Sequence, residues 1–213
     1  MKGDVLNNFN KNYGNLLLIL NTSVDPMALI TLFHCYDKEL WCFNFQDYQL
    51  VPTLEEYTYL LNIKLSDEVP FVQVPEKPKF KVIAEILHLS WKEVKDNWKS
   101  SDDTTRFYLD FLVKKAEDWA KKGNWSDFSS LFALMIYGII LFPRKINFMD
   151  LTAICVFRNK NLVPTLLADT LYTIHSRHRK GGNVSLCHLM LYQWFKSHLP
   201  ISGPFMDTRH SLR

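Results

Sequence analysis

The sequence has few of the residues that mark phosphate-binding loops or secreted scaffolds. Its 213 residues include only 7 Gly and 4 Cys, and they form neither a Gly-rich phosphate loop nor a CxxC pair. Widely spaced cysteines favour a reducing compartment over a disulfide-rich secreted domain. The longest apolar run, 131–142, has twelve residues, whereas a membrane-spanning helix needs about 20. We therefore expect an intracellular protein that does not enter a membrane.

The sequence also lacks a strong excess of either charge. Lys and Arg number 25 and Asp and Glu number 22, so the formal net charge is +3. Such a small excess does not by itself indicate a nucleic-acid-binding protein. The chain is 47% hydrophobic and 22% charged, which is typical of a folded globular protein with its own core.

Hydrophobic periodicity predicts a mainly α-helical fold. The predicted helices cover 13–20, 26–35, 54–61, 80–89, 91–98, 104–122, 127–142, 148–157, 165–179 and 184–198. An aromatic-rich segment over 40–45, with a short return strand over 49–51, predicts one small N-terminal β-hairpin. We expect a mainly α, multi-helix globular domain that includes this hairpin.

The same pattern suggests one domain over residues 12–200. Residues 1–11 are predicted to form an N-terminal extension, and 201–213 an unstructured tail without periodicity. Three prolines within 64–79 predict an extended segment, which is a candidate hinge.

Several residues are predicted to start or end helices. Thr53 with Glu56, and Ser90 with Glu93, have the spacing of capping boxes. Asp25 followed by proline predicts a third helix start. Further structural markers are a proline that ends an apolar helix, a glycine pair between the last two helices and a tryptophan on the last helix: Pro143, Gly181, Gly182 and Trp194.

Four residues around the glycine pair are candidate metal ligands. They are His175, His178, Cys187 and His188, and they can converge across a helical hairpin to offer the four N or S ligands that zinc prefers. The alternative interpretation is that the two histidines lie near a helix C-terminus, where the helix dipole favours positive charge. We favour this alternative, and we expect neither a metal nor a cofactor.

Catalytic signatures are absent from the sequence. It contains no G-x-S-x-G motif, and no cysteine has a nucleophile's motif context. The acidic pairs 55–56 and 102–103 lie at predicted helix starts, where capping explains them. We therefore expect no enzymatic activity.

Basic residues offer a second hypothesis, nucleic-acid binding. Arg177, Arg179 and Lys180 close one predicted helix, and Lys121 and Lys122 close another. Tryptophans can supply stacking surfaces for bases. Against this, acidic residues lie among the lysines, and tryptophan at helical spacing is usually part of a core.

Two segments resemble the plant mobile domain family, which is also catalogued as aminotransferase-like or MAIN-like. Residues 36–63 contain an aromatic strand and a threonine-led helix that ends in Leu-Leu-Asn-Ile, similar to the family's Leu-Leu-Gly-Ile turn. Residues 137–200 contain a Gly-x-x-Leu-Phe-Pro helix end, a Leu-Ala-x-x-Leu-Tyr helix and a Gly-Gly turn before a Leu-x-x-Trp helix. The likeness is greatest to a legume branch of uncharacterised, transposon-associated proteins.

The resemblance implies a function in the nucleus. Cellular members of the family are linked to meristem development, genome stability and silencing, partly through a phosphatase-like partner. No lysine here has a recognisable pyridoxal-phosphate context. We therefore expect a non-catalytic protein-interaction module with an unidentified protein partner, and nucleic-acid binding is the alternative.

Overall fold

The computed structural model describes residues 3–65, 79–101, 104–144, 148–180 and 185–199. The predicted mainly α fold is confirmed. The helices are α1 (Gly3–Tyr13), α2 (Leu16–Leu20), α3 (Pro26–His34), α4 (Leu54–Leu61), α5 (Phe80–Leu87), α6 (Trp91–Asp96), α7 (Leu109–Lys121), α8 (Trp125–Ile136), α9 (Leu151–Arg158), α10 (Leu162–Lys180) and α11 (His188–Ser197). The strands are β1 (Tyr36–Asp37), β2 (Cys42–Asn44), β3 (Gln49–Leu50), β4 (Trp98–Ser101), β5 (Thr104–Tyr108) and β6 (Phe148–Asp150).

Both predicted capping boxes are confirmed. In α4, the Glu56 amide donates to Thr53 Oγ1 at 3.3 Å, and the Thr53 amide donates to Glu56 Oε2 at 2.9 Å. Ser90 and Glu93 form the same pair of bonds at the start of α6, at 3.2 and 2.9 Å. Asp25 caps α3 by accepting from the Met27 amide at 2.9 Å. These local sequence signals fix where three helices begin.

The predicted hairpin is present and carries a third strand. β1, β2 and β3 form an antiparallel sheet in that order, with Phe43 paired to Tyr36 on one side and to Leu50 on the other. Phe43 is fully buried, and its ring lies 5.6 Å from that of Trp194 on α11. The sheet is therefore held against the last described helix.

A second antiparallel sheet was not predicted. The segment from Thr104 was expected to be helical, and this prediction is wrong: Thr104–Tyr108 is β5, and α7 begins only at Leu109. β5 pairs with β4 and with β6, which lies about forty residues further along the chain. Trp98 and Phe107 are partners across β4 and β5, with ring centroids 5.7 Å apart. Pairing with distant β6 overrides the helical periodicity, because strand formation depends on tertiary context.

The N-terminal residues form a packed helix. Residues 3–11, expected to be an extension, belong to α1, and Phe9 is fully buried between the rings of Tyr13 and Phe132 at 5.0 and 5.9 Å. The predicted helix over 13–20 is interrupted at Gly14, whose φ is +63°. The Asn15 amide then donates to the carbonyl of Leu61 at 2.7 Å. The start of α2 is thereby fixed to the end of α4.

The central helix is α8, which packs against α7, α9 and α1. It continues into a π-helical segment, Tyr137–Leu141, that ends just before Pro143. α10 packs on α4 and α9, and α11 packs on α2 and α4. The buried apolar side chains of the described residues form one continuous core.

Three predictions fall wholly or mainly outside the described residues: most of the candidate hinge over 64–79, the pair Gly181 and Gly182, and the tail over 201–213. Among the helices that are described, none combines the length and the apolar character needed to cross a bilayer.

Candidate functional site

An exposed aromatic surface lies where the tip of the first sheet meets α10. The Trp41 indole stacks on the His175 imidazole with centroids 3.6 Å apart and planes 11° apart. Tyr172 precedes His175 by three residues, so the two share one face of α10. Leu40, Trp41 and Tyr172 are 54%, 48% and 68% exposed. We call these four residues, Leu40, Trp41, Tyr172 and His175, the Trp41 surface.

The turn that carries Trp41 is built by Asp37. Its Oδ1 accepts from the amides of Glu39 at 2.9 Å and Leu40 at 3.1 Å. These bonds hold the pKa of Asp37 below its usual value. Trp41 itself has a left-handed φ of 57°, which is uncommon for a bulky residue. The turn therefore presents the indole in a fixed position.

His175 is held by the sheet as well as by the indole. The Tyr36 ring meets it edge-on at 6.5 Å. Its Nδ1 is buried without a hydrogen-bond partner in the described structure. The His175 imidazole thus packs between the Tyr36 ring and the Trp41 indole.

The basic residues singled out from the sequence lie on two helices. The backbone of α10 extends to Lys180, so Arg177, Arg179 and Lys180 lie two to five residues beyond His175 on the same helix. Lys121 and Lys122 lie exposed at the end of α7, where Lys121 forms an ion pair with Glu117 at 3.9 Å. α7 packs on α8, whereas α10 packs on α4 and α9.

The candidate metal ligands occupy different environments. His175 lies under Trp41, Cys187 is buried, and His188 is the first residue of α11. The side chain of His178 lies outside the described residues. Within the described part of the chain, no group of three or more His, Cys, Asp or Glu side chains is arranged to hold a metal ion.

Three of the four cysteines, Cys42, Cys155 and Cys187, are unsuited to nucleophilic chemistry. Burial raises the pKa of the Cys187 thiol to about 12. Burial also raises the pKa values of Cys42 and Cys155. Because the thiolate is the nucleophile, these raised pKa values suppress reactivity at neutral pH.

A polar junction joins α4 to α11. Glu56 Oε2 accepts from Trp194 Nε1 at 3.0 Å, and Glu56 Oε1 lies 2.8 Å from His198 Nε2. His198 Nδ1 lies 2.9 Å from the carbonyl oxygen of Trp194, so this nitrogen donates. Burial alone would raise the pKa of Glu56, but hydrogen bonds from Thr53 and Trp194 and the nearby His198 keep it below its usual value.

This junction groups a carboxylate, an imidazole and a hydroxyl, as hydrolytic triads do. However, Ser197 Oγ is buried and donates to the Trp194 carbonyl at 2.6 Å. His198 Nδ1 lies 3.2 Å from this hydroxyl and 2.9 Å from the same carbonyl. Because a carbonyl oxygen only accepts, the nitrogen that bonds to it carries a proton and does not take one from the hydroxyl. The junction therefore acts as a structural contact that holds α11 against α4.

Two further sequence markers also make tertiary contacts. Lys115 on α7 donates to Glu93 Oε1 at 2.7 Å, and this bond, with those from Ser90, lowers the pKa of Glu93 to about 2. The carbonyl of Pro143 accepts from Ser185 Oγ. Residues predicted as helix boundaries thus also connect elements.

The Trp41 surface itself was missed at the sequence level. Trp41 was assigned to a strand, whereas it lies in the turn before β2. His175 was considered only as a metal ligand or a helix-end cation. Its stack with Trp41 joins residues 134 positions apart (175 − 41), and no local pattern reveals such a contact.

Comparison with known families gives a match over the whole chain. A family model described as a domain of unknown function (DUF7745) matches residues 1–213. Neither the curated proteins nor the solved structures contain a significant match.

The resemblance to the plant mobile domain family is therefore wrong, since the matching family model is a different one. The motifs quoted for that resemblance are caps, turns and core aromatics, and such features recur in unrelated helical folds. The comparisons do not support the transposon and nuclear associations that this resemblance implied. The comparisons also identify no partner, phosphatase-like or other.

Proposed function

We propose that this chain, which belongs to the DUF7745 family of domains of unknown function, is a non-catalytic protein-interaction module that binds its partner through the Trp41 surface. One observation carries the proposal: Trp41 is fixed in a stack on His175 while about half of its side chain faces solvent. A large aromatic residue that is ordered before binding loses little conformational entropy when a partner covers it.

The composition of the surface supports this proposal. Tryptophan and tyrosine are enriched among the residues that dominate protein–protein binding energy. Trp41 and Tyr172 are both well exposed. Both neighbour His175, Trp41 by stacking on it and Tyr172 by preceding it by about one turn of α10.

The test is affinity capture of partners from cell extract, followed by mass spectrometry. The wild type is compared with Trp41→Ala and Tyr172→Ala, and Trp91→Ala is the matched control, because Trp91 is 53% exposed on α6. We expect a stoichiometric protein that survives nuclease treatment, is lost with both Trp41 surface variants and is retained with the control. A partner retained by all variants would place the binding site elsewhere.

Nucleic-acid binding is the second candidate function. The observation in its favour is that α10 carries the aromatic surface and then continues through the basic residues 177–180. Proteins that bind single strands combine stacking aromatics with positive charge. Under this alternative, captured partners disappear on nuclease treatment, and affinity for an oligonucleotide falls steeply with salt concentration.

A further inference from the structure

A cavity of about 450 Å³ lies between α1, the end of α4, the π-helical segment and the end of α9. Its volume falls within the roughly 300–1,000 Å³ of small-molecule sites. Buried Tyr137 forms the floor, and half-buried Tyr13, Ile63 and Phe157 form the walls. It shares no lining residue with the Trp41 surface.

The walls are aromatic and ordered. The rings of Tyr13 and Phe157 stack with centroids 6.0 Å apart and planes 19° apart. Tyr137 meets Phe157 edge-on at 5.2 Å. A planar aromatic guest can extend this cluster through stacked and edge contacts of the same kind.

The rim of the cavity is cationic. Lys64 and Lys160 line it and are exposed, and none of its lining residues is acidic. Among the described residues, neither lysine forms a salt bridge. Asn12 and Ser130 are the uncharged polar residues of the lining. A lining that combines aromatic rings with two lysines favours a guest that has an aromatic body and an anionic group.

Unusual backbone geometry converges on this cavity. Tyr137 begins the π-helical segment, and π-helices occur frequently at functional sites. Lys160 has a left-handed φ of 51°, a conformation that glycine adopts without strain. Lys160 lies two residues beyond α9, and its amide donates to the Phe157 carbonyl at 3.3 Å. A lysine therefore lines the cavity at a helix end where glycine is the usual residue.

The phenol of Tyr137 remains a hydrogen-bond donor. Burial, assisted by the nearby Tyr13, raises the pKa of Tyr137 well above its ordinary value. The hydroxyl group therefore stays protonated at physiological pH, and the floor of the cavity remains uncharged.

We propose that this cavity binds a small planar aromatic anion, whose ring contacts Tyr13, Tyr137 and Phe157 and whose carboxylate or phosphate group lies between Lys64 and Lys160. The shared chemistry is an aromatic ring that carries an anionic oxygen group. The site does not depend on the proposed protein-interaction function.

The experiment measures binding of three probes by isothermal titration calorimetry: 2-naphthoate, 2-naphthyl phosphate and neutral 2-naphthylmethanol. We expect both anions to bind at least about tenfold more tightly than the alcohol, because two lysines contribute. Tighter binding of the phosphate identifies a phosphorylated ligand, whereas equal or tighter binding of the carboxylate identifies an aromatic acid. Equal affinity for the anions and the alcohol, or no binding at millimolar concentration, overturns the proposal.

Variants locate the site. Lys64→Gln and Lys160→Gln should each weaken binding of the anions about threefold to fivefold and leave the alcohol unchanged. Lys122→Gln is the control, since Lys122 is exposed but does not line the cavity. Unchanged anion affinity in both cavity variants contradicts the proposal.

Lys160→Gly separates binding from folding. Removing a left-handed lysine should raise the melting temperature, while removing its ammonium group should weaken binding of 2-naphthoate. A more stable protein that binds less well cannot be explained by misfolding. A variant that binds as well as the wild type would show that this ammonium group is not part of the site.

Discussion

Glu56 and Glu93 each use a single carboxylate for two purposes. One oxygen completes a capping box, with Thr53 or with Ser90. The other oxygen of Glu56 contacts His198, which follows α11. The other oxygen of Glu93 contacts Lys115 on α7. Sequence spacing predicted the caps because capping is local, whereas the second contacts required the folded structure.

The first residue-scale prediction concerns acid stability. The Glu93 pKa is lowered from an ordinary value of 4.5 to about 2, mainly by Lys115 and the Ser90 amide. A lowered folded-state pKa adds stability above pH 4.5, and that stability is lost as the pH falls towards 2. Urea unfolding between pH 7 and pH 2 should therefore show Glu93→Gln less stable than wild type near neutrality, with the difference vanishing at low pH. A difference that does not depend on pH would exclude the ion pair as its cause.

The second residue-scale prediction concerns the cap of α4. Thr53→Ala removes the hydroxyl that accepts from the Glu56 amide, and it should lower the free energy of unfolding by about 1 kcal/mol. Thermal unfolding measures the loss, and Ser23→Ala, at an exposed position outside the helices, is the control. An unchanged melting temperature would show that the cap does not contribute to stability.

At the scale of elements, the backbone between α1 and α2 is tightly constrained at Gly14. Gly14 combines a left-handed φ of +63° with close packing. A Cβ at this position would overlap the Leu61 carbonyl oxygen and lie 2.7 Å from Ile63 Cγ1. This position therefore requires glycine, because glycine adopts a left-handed φ without strain and has no Cβ to overlap Leu61.

Gly14→Ala should accordingly destabilise the protein by about 2–4 kcal/mol, because backbone strain and steric overlap add. Gly123→Ala is a matched control, since Gly123 has a φ of +75° but open space around its Cα. The difference between the two variants, measured by urea unfolding, isolates the steric contribution. Equal losses would mean that only the backbone conformation matters.

Elements were predictable from the sequence where their signals are local. The helix starts at Asp25, Thr53 and Ser90 follow from side chains within one turn. The boundary between β5 and α7 was missed because strand pairing with Met149 and its neighbours determines it. Likewise, the candidate site depends on Trp41 meeting His175 from a distant helix, which periodicity does not encode.

At the scale of the whole molecule, Trp194 connects the first sheet, α4 and α11. It is fully buried, contacts the Phe43 ring at 5.6 Å and donates to Glu56 at 3.0 Å. Its neighbour Gln193 donates to Thr22 at 2.7 Å. Helix α11 thus packs against the part of the core that comes from the first third of the chain.

Trp194→Phe should lower the free energy of unfolding by about 2–3 kcal/mol, since it removes buried volume and a donor to a charged acceptor. Circular dichroism and tryptophan fluorescence should report the same urea midpoint, because the described core is continuous. Trp91→Phe, at an exposed tryptophan, should change the free energy by less than about 0.5 kcal/mol. Separate transitions for the two probes would show that the core does not unfold as one cooperative unit.

The contacts between α11 and α4 also bear on how the nascent chain folds. Glu56 and Trp194 are 138 residues apart in the sequence. At about 5–20 residues per second, the ribosome therefore adds Trp194 roughly 7–28 s after it has added Glu56. During that interval α2, α4 and the first sheet have been synthesised without the helix that covers them. This part of the fold is therefore completed only after α11 has been synthesised, and chaperones that shield apolar surface have a long interval in which to act on α2, α4 and the first sheet.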